Sequence, residues 1–171
     1  ESFKEDKDIV KILLKAADQL LIRTPAGRYA ILAGYHWFYE WGRDTLISLP
    51  GLTFCRRCFQ EGQEILKTFG EFEKYGLFPN LFAEDEKENA YNTVDASLWY
   101  FWAVQQYLKY GGDDHWVHQH LWSVMKRILK QLLAGTIYDI HMDERGLLHA
   151  GNGGAGGATG GDPERAGAVH R

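Results

Sequence analysis

The sequence predicts an all-α fold, and three observations predict it. Apolar residues recur at helical spacing in several segments of roughly ten to twenty residues, period-two alternation is scarce, and connections rich in Gly, Pro and acids separate the segments. The segments do not repeat one another. Their rhythm of helix, long loop, helix is that of an array of α/α hairpins.

The first helix is expected from Ile9, Leu13, Ala16, Ala17 and Leu20, with Val10, Leu14 and Leu21 widening the stripe. It should end near Arg23, before the turn cluster Thr24-Pro25-Ala26-Gly27. The apolar stretch RYAILAGYHWF reads as a strand-like, extended approach to the next element. A second helix is expected around Asp44, carrying Leu46, Leu49 and Leu52, with Pro50-Gly51 kinking or tightening it. A third runs from about Phe59 to Phe72, turning Ile65, Leu66, Phe69 and Phe72 inward.

A long connection with an acidic run from Glu84 to Glu88 follows, the kind of loop that is functional or disordered in compact domains. The fourth helix places Val94, Leu98, Phe101, Gln105 and Leu108 on one face, and Gly111 is a natural stop. Asp113 or Asp114 then caps a fifth helix carrying Val117, Leu121, Val124, Ile128 and Leu132, closed by Gly135. From Gly146 to Arg171 the chain holds 9 of its 19 Gly and almost no large apolar residue, so the tail from residue 153 reads as flexible.

Composition bounds the function. At 171 residues, 45% hydrophobic and 25% charged, the chain is an ordinary globular domain with a real core. Its net charge is −4 and no Lys/Arg stripe exists to track phosphates, which argues against nucleic acid. No apolar run approaches 18 residues, which argues against a membrane span. The charged start ESFKEDKD shows no apolar leader, and the first residue is Glu1 rather than Met, as in a piece of something longer. Cys55 and Cys58 form a lone C-x-x-C, read as two thiols one helical turn apart in a reducing cytoplasm. His115, His118 and His120 lack an H-E-x-x-H pattern and read as solvated helix residues, so neither a metal nor a cofactor is expected.

The stretch YHWFYEWGRDTL, residues 35–46, carries the most chemistry. It brings five aromatic side chains, Tyr35, Trp37, Phe38, Tyr39 and Trp41, up to Gly42, Arg43 and Asp44. Adjacent guanidinium and carboxylate groups supply the donors and acceptors that suit vicinal hydroxyls of a sugar, and Trp37, Tyr39 and Trp41 supply a stacking face. The plainer alternative makes Asp44 an N-cap and Arg43 a surface cation. Asn92 and Asp95 form an N-x-x-D pattern where the fourth helix begins, either a capping box or a polar helix mouth open to a ligand.

Four blocks, GYHWFYEWGRDTLISLPGL, GLFPNLFAEDE, YNTVDASLWYFWAV and GTIYDIHMDERGLLHAGN, resemble the C-terminal glucosidase domain of glycogen debranching enzymes, the amylo-α-1,6-glucosidase family. They occur in the family's order over roughly residues 7–152. The resemblance implies an (α/α)6 toroid of which this chain supplies about the first five helices. It implies hydrolysis of α-1,6-linked glucose at branch points of glycogen or a related α-glucan, in the cytoplasm. W-G-R-D is also similar to the W-x-R-D motif of glucoamylases, and that likeness implies that Arg43 and Asp44 grip the glucose; Trp41, Trp37, Asn92 and Asp95 are read with them as substrate-binding residues. An inverting glycosidase needs a protonated carboxyl on the leaving oxygen and a carboxylate activating water, about 6.5–9.5 Å apart. The family's acid lies in a T-W-M-D motif shortly after LLHAG. Here the chain reads GGAGGATGGDPE, where Thr159 and Asp162 are the nearest match, and the base region has no counterpart. The reading is therefore a glucosidase fragment inactive alone; the alternatives are a non-catalytic glucan-binding product and another toroid glycosidase of glucoamylase or trehalase type.

Overall fold

In the computed structural model, the residues described are 2–35, 39–82, 89, 91 and 93–150, with side chains from residue 7 onward. Six α-helices dominate them: α1 (Ser2–Leu20), α2 (Gly42–Leu52), α3 (Phe59–Phe72), α4 (Asp95–Lys109), α5 (Asp114–His120) and α6 (Trp122–Ala134). The all-α expectation holds at this level. Sequence spacing had set the boundaries of α3 and the stops of α4 and α6. Gly111 and Gly135, at φ +96° and +91°, follow those helices in a conformation that a side chain would strain.

Among the described residues six short strands form three antiparallel pairs that the scarcity of alternation concealed: β1 (Leu21–Arg23) with β2 (Tyr29–Ile31), β3 (Glu40–Trp41) with β4 (Leu81–Phe82), and β5 (Ile140–Met142) with β6 (Leu148–Ala150). Strands of two or three residues are too short to show a period. The first helix thus stops at Leu20, not Arg23, because Leu21, Ile22 and Arg23 pair with Ile31, Ala30 and Tyr29 around the 24–27 turn. In the last hairpin the Asp143 carboxylate accepts from the backbone N–H groups of Arg145 and Leu147, each at 2.9 Å. Those bonds, led by that from Leu147, hold its carboxyl below the usual range.

Three further expectations are corrected. The fifth helix is two, α5 and α6, divided at Leu121; Asp113 caps the first of them by accepting from the His115 N–H at 2.9 Å. The face of α4 carrying Leu98, Gln105 and Leu108 points outward. Its buried face is Ala96, Ser97, Tyr100, Ala103, Val104 and Tyr107, whose small members let α2, its most extensive partner, approach closely. Cys55 and Cys58 are free thiols but do not share a helix: Cys55 lies in a 3-10 turn (Phe54–Arg56), Arg57 follows at φ +66°, and Cys58 precedes α3.

The core lies between α2, α3, α4 and α6. Much of the aromatic excess is spent there: Phe72, Phe82, Phe69, Phe78 and Tyr100 form a chain of ring contacts with centroids 4.8–5.4 Å apart. Helix α1 contributes little. Ala17 is buried, whereas Ile9, Val10, Ile12, Leu13 and Leu14 are exposed, Leu13 by 62%.

Candidate substrate-binding site

The W-G-R-D stretch straddles a strand and a helix. Trp41 ends β3 and stands, half-buried, at the N-cap position of α2, whose first three residues are Gly42, Arg43 and Asp44. Gly42 is what the local packing requires. A Cβ there would lie 2.2 Å from the Pro79 carbonyl oxygen, and the Gly42 N–H donates to the Asn80 carbonyl at 2.9 Å. The close backbone approach that the glycine suggested is to residues 79–80, so the block GLFPN is stitched to the block WGRD.

Two more links fix the stretch. The Arg28 guanidinium meets the Glu40 carboxylate at 2.6 Å, with Glu40 buried to 6% exposure and Arg28 also 5.6 Å from the Phe82 ring centroid. Burial raises the Glu40 carboxyl above its ordinary value, against the lowering effect of Arg28. Thr45 Oγ1 donates to the Ile31 carbonyl at 3.4 Å. Sequence reasoning passed over Glu40; the one signal was a lone carboxylate between Tyr39 and Trp41.

Arg43 turns to the start of α4. Its Nη1 donates to Asp95 Oδ2 at 2.8 Å, and the other Asp95 oxygen accepts from the Thr93 hydroxyl. Both charges are accessible, Arg43 at 54% and Asp95 at 32%. Neither α2 nor α4 has a side-chain cap: Trp41 and Val94 occupy the cap positions without such a bond. The N-cap reading of Asp44 is therefore set aside; the capping-box reading of Asn92 with Asp95 falls on Asn92, which lies outside the described residues. Asp44, in the first turn of α2, is favourably placed for the helix dipole. It lines a pocket of about 250 Å³, which Arg43 does not line, with Leu20, Ile31, Leu32, Ile47 and Ser48 among others.

The structure thus joins Arg43 to Asp95, with Trp41 two residues before Arg43 in the chain and Asp44 one residue further along α2. Trp37, Asn92 and Asp162 lie outside the described residues. His115 and His118 are exposed on α5, the latter stacked beside Trp122 with centroids 6.1 Å apart. Among the described residues no helix is long and apolar enough to cross a membrane.

A glycogen debranching enzyme of Saccharomyces cerevisiae is 37% identical over 68 residues, a stretch covering 40% of this chain and 4% of the yeast protein. No solved structure matches the chain. Residues 15–161, which contain all the geometry above, match the family model described as amylo-alpha-1,6-glucosidase, and the chain belongs to that family.

Proposed function

We propose that this chain supplies the sugar-gripping part of a debranching glucosidase, which hydrolyses α-1,6-linked glucose at branch points of an α-glucan. One observation carries the reading: Arg43, in the first of the four motif blocks, reaches Asp95, in the third, 52 residues away in sequence. A guanidinium has five N–H donors in a planar fork, and Asp95 uses one side of it. The remaining donors are available to sugar hydroxyls. The Asp95 contact limits the rotamers of a long side chain, which lowers the entropy lost on binding. The half-buried Trp41 offers ring surface for the apolar face of a pyranose. The Asp44 carboxylate accepts from hydroxyls on the neighbouring flank.

These groups bind and orient; they do not by themselves cleave. Inversion at an acetal needs an acid and a base on opposite sides of the sugar. Arg43, Asp95, Trp41 and Asp44 fit the binding role, and the six helices fit part of an α/α toroid whose other parts bear the carboxyl pair. The 171-residue chain alone is accordingly a binder of branched α-glucan that releases no glucose.

The test uses a full-length debranching enzyme carrying this segment, with phosphorylase limit dextrin as substrate and free glucose as the readout. Asp44→Asn should lower kcat/KM by more than about 100-fold, roughly 3 kcal/mol of transition-state stabilisation. Near-full activity in that variant, or in Arg43→Ala, would overturn the proposed role.

A further inference from the structure

Strands β3 and β4 pair over two residues each, with Glu40 opposite Phe82 and Trp41 opposite Leu81. So short a ladder specifies its register weakly, and a slip of one residue turns every side chain to the other face. A slip here would turn the half-buried Trp41 ring inward and the buried Glu40 carboxylate outward. Gly42 resists it at one end, because it admits the Pro79 carbonyl where a side chain would clash. At the other end Arg28 touches both members of one register pair. Its Nη2 meets Glu40 Oε2 at 2.6 Å, and its Cζ lies 5.6 Å from the Phe82 ring centroid, within reach of a cation–π contact.

We propose that Arg28 and Glu40 are positioning residues: their ion pair fixes the register of β3 on β4 and so keeps the Trp41 ring turned out for glucan, a use that rests on the binding role proposed for Trp41. Stability does not explain the pair. Glu40 is 6% exposed and Arg28 28%, so both charges give up water, and Arg28 Nη1 is buried without a hydrogen-bond partner among the described residues. Replacing a buried ion pair by apolar residues of similar volume is often neutral or stabilising, because desolvation outweighs the attraction. What an apolar pair lacks is direction. A leucine at position 40 packs beside any apolar neighbour, whereas a buried carboxylate is satisfied only where a cation meets it. In the slipped register Glu40 leaves Arg28, and the guanidinium stays behind without its counter-charge. The native register is thus set apart by the cost of the wrong one.

The test puts Arg28→Met and Glu40→Leu together into the complete 171-residue chain. Thermal unfolding, cross-strand NMR contacts and retention on glycogen by affinity electrophoresis are then compared with the parent. The melting midpoint should equal or exceed that of the parent. The contacts of position 40 with Phe82 and of Trp41 with Leu81 should be joined by those of a second register. Retention should fall with the share of the native register, about five-fold where that share is about one in five. Glu40→Gln keeps an acceptor for Arg28, so it should hold one register and stay within about two-fold of the parent. A double variant showing the parent's contacts alone means that Gly42 suffices, and one that unfolds means that the pair holds up the fold. Either result overturns the proposal, as does a second register with undiminished retention. A parent chain that glycogen does not retain sinks the binding role of Trp41 instead, and the cross-strand contacts then decide the register role by themselves.

Discussion

Adding one methyl group at two glycines of the same helix should move stability in opposite directions. At Gly42 a Cβ would stand 2.2 Å from the Pro79 carbonyl oxygen, and the obstacle is backbone, not the end of a flexible side chain. The Gly42 N–H is also bonded to Asn80, so α2 cannot retreat without breaking the contact that holds β3 beside β4. Overpacking of this kind costs about 1–3 kcal/mol, and a backbone obstacle belongs at the upper end. Losing a glycine at a helix start returns at most about 0.5–1 kcal/mol. Gly42→Ala should therefore destabilise by about 2 kcal/mol. At Gly51, near the end of α2, a Cβ meets nothing within 4 Å, so Gly51→Ala keeps only the helix gain and should stabilise by about 0.5–1 kcal/mol. Urea unfolding followed by circular dichroism gives both shifts from one assay. If the two variants shift the midpoint in the same direction, the close approach of α2 to residues 79–80 is not what selects glycine at 42.

Other consequences can be measured on the same chain. Leu66→Ala, at a fully buried core position, should cost about 2–5 kcal/mol, whereas Leu13→Ser on the exposed face of α1 should stay within about 0.5 kcal/mol and lower the binding of an apolar dye. The Tyr107 hydroxyl accepts from Gln63 Nε2 at 2.6 Å and from the Asp113 N–H at 3.0 Å, both part-buried, so Tyr107→Phe should cost about 0.5–1.5 kcal/mol by the same unfolding assay. Glu40 holds its proton more tightly folded than unfolded, because burial raises its carboxyl. Its contribution is then fully present below the unfolded value of 4.5 and is lost as pH rises through the folded one; Glu40→Gln should flatten that part of the stability–pH curve, measured by thermal unfolding.

The sequence was most legible where one residue decides a boundary. Gly111, Asp113 and Gly135 mark helix ends by local chemistry, and they stand where that chemistry puts them. Faces were harder to read. On α4 Leu98 and Leu108 lie outside, while the small Ala96, Ser97 and Ala103 lie inside beside Tyr100 and Tyr107. A hydrophobicity count cannot see that. On α1 the stripe is real, yet most of it faces outward among the described residues. The motif WGRD singled out Arg43, but not its partner. That Asp95 accepts from Arg43 follows from the packing of α2 on α4, a long-range fact that no local pattern encodes. The Arg28–Glu40 pair under the site was illegible for the same reason.

The most direct test of the account is the affinity of the complete chain for glycogen across the four combinations of Arg43→Ala and Asp95→Ala, read by affinity electrophoresis. If Arg43 grips the glucan and Asp95 acts by holding Arg43, then Arg43→Ala weakens retention about ten-fold or more and Asp95→Ala weakens it less. The double variant should then be no worse than Arg43→Ala alone. Retention of Arg43→Ala equal to that of the parent chain, or losses that simply add, would contradict the account.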